Sequence, residues 1–285
     1  MNVDASGALP QGGFGQRRPG RGGGGRRRPP QPVEVVSVSQ VTNRLVSVRV
    51  SGGDLSRFGE AAPTSHIKVF LPAPGHDTPA LPTVTADGER VWPGGESRPV
   101  VRTYTPRSFD PDAGALEIQF ALHGEGPAAD WAQRAKPGAK LAIGGPGGRF
   151  ATDLSAPRWW IAADESALPA VGTLLDALPS SAIAEVHLEV TDAADEIPLD
   201  SQAKTIVTWH HRRDRGAFGA ELYDAAASAA IADGTAVWVA CEATAMRRIR
   251  RQLIDGQRVP HTGLITRGYW RVGETDHPDH DYGED

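Results

Sequence analysis

Cysteine is almost missing from this chain of 285 residues, in which Cys241 stands alone. A single thiol excludes an internal disulfide framework and any zinc or iron–sulfur site built from several cysteines, and it fits a reducing compartment. Long apolar runs are also missing, since stretches such as WWIAA fall far short of the roughly 20 residues that span a bilayer. No apolar segment follows the arginines near the N-terminus, as an export signal would require. We therefore expect a cytoplasmic protein without membrane insertion.

Charge is unevenly distributed, although the formal net charge is only -5. Residues 1–32 carry six arginines against one acid, and residues 274–285 carry six acids with no lysine or arginine. Both ends lack apolar residues to bury and are predicted to be disordered. An Arg-Gly tract can contact nucleic acid, and His277 with His280 could hold a metal loosely. A solvated extension is the expected state of both ends, and nucleic acid is not an expected partner.

Residues 33–150 have the pattern of a β domain. Short runs rich in Val, Ile and Leu alternate with clusters of Gly, Pro and Asp, which predicts strands near 33–41, 45–50, 65–71, 98–105, 115–124 and 140–145. Several such strands within about 120 residues favour a closed antiparallel barrel or a sandwich. One short helix near 126–135 interrupts them.

After Pro157 the pattern changes to strands that alternate with helices. Strands are predicted at 158–163, 184–190, 205–211 and 235–242, and helices at 165–178, 218–231 and 243–256. Such alternation indicates a parallel α/β sheet of the nucleotide-binding type. The predicted organisation is therefore a basic tail (1–32), a β-barrel domain (33–150), an α/β domain (151–273) and an acidic tail (274–285).

Four segments carry a resemblance to a known family: RTYTPR at 102–107, HGEGPAADWA at 123–132, DESALPAVG at 164–172 and GYWRVG at 268–273. In this order and spacing they resemble the siderophore-interacting proteins, NAD(P)H-dependent ferric-siderophore reductases of the ferredoxin–NADP reductase class. The resemblance covers nearly all of residues 33–273. It implies an antiparallel FAD-binding barrel followed by a nicotinamide-binding domain, with FAD as cofactor, NADPH or NADH as electron donor and a ferric siderophore as partner.

The first segment also has a physical interpretation of its own. A flavin dinucleotide presents a flat apolar ring system, a polar edge at N5 and a charged pyrophosphate, and Tyr104, Thr105 and Arg102 offer a ring, a hydroxyl and a cation. By resemblance Arg102 contacts the phosphates, while Tyr104 and Thr105 lie at the reacting ring. The alternative is that Arg102 and Arg107 are rim charges and that Tyr104 is a half-buried filler.

The second segment places glycines before Pro127, at the start of a short helix whose free N–H groups suit a phosphate. The resemblance assigns this helix to the pyrophosphate of the cofactor. Trp131 serves equally well as a core anchor. The predicted cofactor contacts from this segment are His123, Gly124, Gly126, Pro127, Ala128 and Trp131.

The α/β domain lacks the glycine-rich dinucleotide fingerprint. The segment at 164–172 nevertheless lies where that loop belongs, and Asp164 is a good N-cap for a helix whose N-terminus attracts anions. An N-capped helix after a strand is also an ordinary structural feature. By resemblance the nicotinamide contacts are Asp164, Glu165, Ser166, Ala167 and Glu242. Cys241 replaces the usual glycine of the family and is expected to be a buried structural residue.

Arginines at the end of the third α/β strand bear on the choice of nicotinamide. Arg212 and two arginines after it are offered to a 2′-phosphate, which favours NADPH, although charges at a strand end are often only solvated. Lys68 and Arg271, in segments that match the family, are predicted to attract a negatively charged ferric complex. By resemblance, Gly147 stands where some relatives carry an arginine, so one positive charge that they can offer to an anionic substrate is missing. Tyr269 and Trp270 either cover the site or pack the domain interface.

Alternative functions remain at this point. The chain could reduce a free flavin or a ferredoxin-like protein, carry a siderophore without catalysis, or associate with nucleic acid. A monomer or a weak homodimer is expected. In the implied reaction hydride passes from the nicotinamide to the flavin, which then gives single electrons to Fe(III), so that no general acid or base is required.

Overall fold

The valine-rich runs of the first half form one antiparallel sheet. The computed structural model describes residues 29–283 except 86, 88, 93–97, 123–125, 149–152, 213–215, 276, 279 and 280. The strands are β1 (Gln31–Thr42), β2 (Leu45–Ser51), β3 (His66–Leu71), β4 (Thr83–Val84), β5 (Arg90–Val91), β6 (Val100–Tyr104), β7 (Pro106–Asp110), β8 (Ala115–Ala121) and β9 (Lys140–Gly147). Two helices accompany them, α1 (Ser56–Gly59) and α2 (Pro127–Arg134).

Seven of these strands pair in the order β6-β3-β9-β1-β2-β8-β7, and β4 pairs separately with β5. The two edge strands, β6 and β7, are consecutive in the chain and are joined by Thr105 alone. The edges of the sheet therefore meet at Thr105 in a barrel-like arrangement. Among the described residues, β6 pairs only with β3 and β7 only with β8, so no ladder closes the predicted barrel. Apolar side chains such as Val48, Ile67 and Phe120 fill the interior.

The second half forms a five-stranded parallel sheet in the order β12-β11-β10-β13-β14. Its strands are β10 (Arg158–Asp164), β11 (Ile183–Val190), β12 (Lys204–His211), β13 (Ala236–Glu242) and β14 (Leu264–Trp270). Its helices are α3 (Leu168–Ala177), α4 (Ala220–Ser228) and α5 (Ala243–Arg251). The predicted α/β sheet is confirmed, and β14 is a strand that the sequence pattern did not predict. The strand order reverses between β10 and β13, and ligands of such sheets bind at the carboxyl ends of the strands at this point.

Direct contacts join the two sheets. Leu45 from β2 is buried in the apolar core of the α/β domain. Arg107 Nη1 lies 2.6 Å from Asp176 Oδ2, and the backbone N–H of Thr64 donates to Thr173 Oγ1 at 3.1 Å. These contacts connect the two domains.

Two further expectations concern burial and the chain ends. Cys241 is fully buried, as predicted, and burial raises the pKa of its thiol well above the usual range. None of the helices in the described part of the chain is long and apolar enough to cross a membrane.

Residues 1–28, predicted as a disordered basic tail, lie outside the described residues. The described residues after Gly273, predicted as a disordered tail, instead contact β14 and α5.

Candidate functional site

A cavity of about 840 Å³ lies between the two domains. Strand β6 and the first turn of α2 line it from the antiparallel domain, and the end of β14 lines it from the α/β domain. The structure thus brings together residues from all four segments quoted above. The predicted site residues that line the cavity are Lys68, Arg102, Tyr104, Thr105, Gly126, Pro127, Ala128, Ser166 and Arg271.

Strand β6 and the residue after it, Thr105, contribute a cation, a ring and a hydroxyl to this cavity. The Tyr104 ring packs on Phe120 with centroids 4.3 Å apart, and burial raises the pKa of its phenol well above the usual range. Thr105 is only 7% exposed. Arg102 donates to the carbonyl of Val101 at 2.8 Å while its side chain lines the cavity. A neutral aromatic surface and a positive charge therefore lie side by side.

The first turn of α2 offers backbone donors. Gly126 is the N-cap in an extended conformation, without a side-chain capping bond, and Pro127 follows it. The space above Gly126 is open, since a Cβ there would meet nothing within 4 Å. The first N–H groups of a helix lack partners within it, so this turn suits an anion. His123 and Gly124, predicted from the same segment, lie outside the described residues.

Trp131 packs against the antiparallel core rather than lining the cavity. Its ring lies 5.7 Å from that of Phe120, and it is not among the described residues that line the cavity. Of the two roles that the sequence allowed, these contacts favour the core anchor.

Asp164 joins the carboxyl ends of three strands. Its Oδ1 accepts from the N–H of Ser166 at 3.0 Å and from the Ser166 hydroxyl at 2.5 Å, and its Oδ2 accepts from the N–H of Glu242 and from Trp270 Nε1, both at 2.8 Å. Burial, with the nearby charge of Glu165, raises the pKa of Asp164 to about 7 against the effect of the Ser166 and Trp270 hydrogen bonds. Asp164 is 1% exposed, so it positions Ser166 and Trp270 from behind the cavity wall.

The other predicted nicotinamide contacts lie mostly inside the domain. Ala167 is fully buried, and Glu242 caps α5 by accepting from the N–H of Ala245 at 2.8 Å. Neither is among the described residues that line the cavity, whereas Ser166 is. The segment after β10 therefore meets the cavity mainly through Ser166.

Arg212 is enclosed by acids. Its guanidinium lies 2.7 Å from Glu165 and 3.0 Å from Glu189, its side chain is 7% exposed, and the Phe218 ring covers it at 4.2 Å. Burial opposes its charge, but Glu165 and Glu189 more than offset this and raise the pKa of Arg212. Arg212 therefore holds together the ends of β10, β11 and β12. The two arginines predicted to act with it, Arg213 and Arg215, lie outside the described residues.

Tyr269 and Trp270 were predicted either to cover the site or to pack at the domain interface, and they do both. Both line the cavity, Tyr269 also packs on the α/β core, and Trp270 meets Phe218 edge-on at 4.6 Å. Burial raises the pKa of Tyr269 to about 12, although a hydrogen bond with Thr105 opposes the shift. The contact between Tyr269 and Thr105 links the two domains at the cavity.

The predicted substrate-binding cations lie at this cavity. Lys68 Nζ donates to Thr103 Oγ1 at 2.7 Å, and Arg271 Nη1 lies 3.2 Å from Glu274 Oε1. Sequence reasoning missed other lining residues, among them His66, Arg267, Phe218 and His277. The spacing of two between His66 and Lys68 places both on one face of β3 and could have revealed His66. Phe218 and His277 come from loops, for which the pattern gave no signal.

Comparisons with known proteins agree with this geometry. Residues 34–150 match the model of the siderophore-interacting FAD-binding domain, and residues 156–273 match that of the siderophore-interacting protein. The ferric vibriobactin reductase ViuB of Vibrio cholerae is 31% identical over 258 residues, which cover 88% of this chain and 93% of that protein. The ferric acinetobactin reductase of Acinetobacter baumannii is 29% identical over 189 residues, covering 62% of this chain and 63% of that one.

A solved structure supports the same relationship. The crystal structure of a siderophore utilization protein from T. fusca matches with a TM-score of 0.76 and 32% sequence identity, and covers 88% of this chain and 96% of that one. Sequence and fold therefore agree over both domains.

Proposed function

The chain belongs to the siderophore-interacting protein family, and we propose that it is a flavin-dependent oxidoreductase that passes electrons from NADPH or NADH to a ferric siderophore. One observation carries this proposal. One cavity brings the cation and ring of β6 and the hydroxyl of Thr105 together with the first turn of α2, at the carboxyl end of a parallel sheet. The proposal includes release of Fe(II) in the cytoplasm, where the lone Cys241 stays reduced.

The residues of this cavity fit FAD. Its volume of about 840 Å³ lies within the range of ligand sites. Arg102 and the N–H groups of α2 suit the pyrophosphate, and Tyr104 offers an apolar face for a planar ring. When bound, FAD supplies the conversion of a two-electron hydride into single electrons for Fe(III). The open space above Gly126 leaves room for the phosphates.

The contribution of the protein is to bind and orient. Arg102 and α2 hold the charged end of the cofactor, Tyr104 and Thr105 position its ring, and Ser166 holds the nicotinamide side. Tyr269 packs on the α/β core and forms a hydrogen bond with Thr105, and in this position it excludes water between the domains. None of these roles moves a proton to a substrate atom, which agrees with a site whose reaction is electron transfer.

The proposal includes both NADPH and NADH as electron donors. Arg212 was predicted to contact a 2′-phosphate, but Glu165 and Glu189 already hold its guanidinium. Its enclosure weighs against that contact. The donor is therefore decided by experiment.

Anaerobic rapid mixing of the FAD-loaded protein tests the proposal. Absorbance of oxidised flavin is expected to fall on adding NADPH or NADH, and to return on adding a ferric siderophore. Flavin that binds but stays oxidised with both nicotinamides would require another reductant. A protein that binds the ferric complex without binding flavin would be a carrier instead.

Lys68 provides a test of the substrate site. We expect Lys68→Gln to lower kcat/KM for an anionic ferric complex by about tenfold at low salt, because an attracting charge is lost from the cavity. Flavin content should not change. The control is Lys140→Gln on the neighbouring strand β9, where the side chain is exposed. If the two variants have equal kcat/KM at every salt concentration, Lys68 does not attract the substrate.

A further inference from the structure

The described residues of 274–283, here called the C-terminal strap, lie beyond the family match, which ends at residue 273. The strap runs beside β14, the edge strand of the parallel sheet. The N–H of Gly268 donates to the carbonyl of Asp281 at 2.9 Å, and the hydroxyl of Thr266 donates to the carbonyl of Tyr282. The Arg267 guanidinium lies 4.3 Å from the centre of the Tyr282 ring. These contacts attach the strap along three consecutive residues of β14.

Asp281 holds the strap in place. Its carboxylate lies 2.9 Å from Arg247 on α5 and 2.9 Å from His277 Nε2, and it accepts from the N–H of Gly283 at 3.1 Å. The side chains of Asp281 and His277 are both only 6% exposed. The other ring nitrogen of His277 lies 3.3 Å from Glu274. A carboxylate with three partners, largely removed from water, has little freedom to move.

The packing at Gly268 shows how closely the strap meets the sheet. A Cβ on Gly268 would lie 2.7 Å from Asp281 Oδ2 and 3.0 Å from the Cβ of Ala243. The carboxylate of Asp281 thus rests on the backbone of β14. A side chain at this position would push the strap away.

The strap also reaches the cavity. Glu274, Thr275, His277 and Pro278 line the same space as Arg102 and Tyr104. Part of the cavity wall is therefore built from residues that lie outside the family match. Moving His277 out of this wall would break its contact with Asp281.

We infer that the C-terminal strap forms part of the FAD-binding cavity, and that Asp281 is a positioning residue that holds His277 against the bound cofactor. This inference rests on the proposed function. Contacts that a wall makes with a bound ligand affect mainly the dissociation rate. Weakening the attachment of the strap should therefore speed FAD release more than it slows FAD binding.

The experiment measures FAD dissociation from the full-length protein into an excess of an apo-flavoprotein trap. Asp281→Asn keeps the shape but weakens the charged contacts, and we expect the dissociation rate to rise by about fivefold or more. Removal of residues 274–285 should raise it further. The control is Asp110→Asn, which weakens an exposed ion pair with Arg49 at 2.8 Å on the antiparallel sheet. Neither residue is among the described residues that line the cavity.

Thermal midpoints of the apo forms show whether an effect is merely structural. We expect the midpoint of Asp281→Asn to fall further than that of Asp110→Asn, because Asp281 is the more buried carboxylate, and we expect only Asp281→Asn to release FAD faster. If Asp281→Asn and the truncated chain both release FAD at rates within about twofold of the full-length rate, the inference about the strap is wrong, but the proposed function is not affected. If the truncated chain fails to fold, Asp281→Asn decides. Absence of FAD binding by the full-length chain would overturn the proposed function as well.

Discussion

Replacing Arg102 by alanine is expected to weaken FAD binding by about 10- to 100-fold, because charge-assisted hydrogen bonds of a guanidinium contribute roughly 1.5–3 kcal/mol. Arg102 lines the cavity beside Tyr104. Strand β6 is held by backbone pairing with β3, in which Arg102 lies opposite Val69, so the sheet does not depend on this side chain. A fluorescence titration of the apo protein with FAD measures the affinity, and the thermal midpoint of the apo protein checks the fold.

Arg107→Ala is the matched control. Arg107 lies on β7, pairs with Asp176 at the domain interface, and is not among the described residues that line the cavity. Its loss is expected to lower stability slightly while leaving FAD affinity within about twofold. Equal FAD affinities of Arg102→Ala and the original protein would show that the cation of β6 does not hold the cofactor.

The largest effect on stability is expected from Arg212→Ala. The substitution leaves Glu165 and Glu189 buried without their counter-charge, and breaking a buried pair in this way typically lowers the free energy of unfolding by about 3–5 kcal/mol. Urea denaturation at neutral pH measures it. Burial already raises the pKa of Glu189. An acid whose pKa is raised in the folded state makes the protein less stable as the pH rises through that pKa. The loss of stability caused by Arg212→Ala should therefore become smaller as the pH falls.

Arg158→Ala controls for the loss of one arginine from the same domain. Arg158 is exposed at the start of β10, and its loss is expected to change stability by less than about 0.5 kcal/mol. Glu165→Gln and Glu189→Gln together should restore part of the stability of Arg212→Ala, since they remove the uncompensated charges. Unchanged stability with a selective loss of NADPH binding over NADH binding would instead assign Arg212 to the 2′-phosphate.

Most strands of both sheets follow from local patterns. Runs such as β2 and β10 are apolar enough to predict a buried strand from their own residues. Strand β7 was missed because Pro106–Asp110 is short and largely polar, although proline suits the first residue of an edge strand. Strand β14 was missed because threonine, arginine and glycine interrupt its apolar residues. Both lie at sheet edges, where burial constrains the sequence less.

The site was predictable where one short segment carries several roles. Arg102, Tyr104 and Thr105 were identified together because they lie close together in one predicted strand, 98–105, and all three line the cavity. The surroundings of Arg212 were not predictable in this way. Its acids, Glu165 and Glu189, come from the ends of two other strands, and only the parallel pairing of the sheet brings them together. The attachment of the strap to β14 and α5 was not predictable either, because its composition alone resembles that of a solvated tail.

The position of Thr105 limits how the chain can change in length. Tyr104 is paired with Ile67 and Pro106 with Ile118, so the residues on either side of Thr105 belong to ladders at opposite edges of the sheet. An inserted residue would add about 3.3 Å and would turn one of these strands by one position, which moves its side chains to the other face. Insertions should therefore be tolerated in the turn between β7 and β8 but not at Thr105. The hydroxyl proposed to face the flavin lies where the length of the chain is fixed.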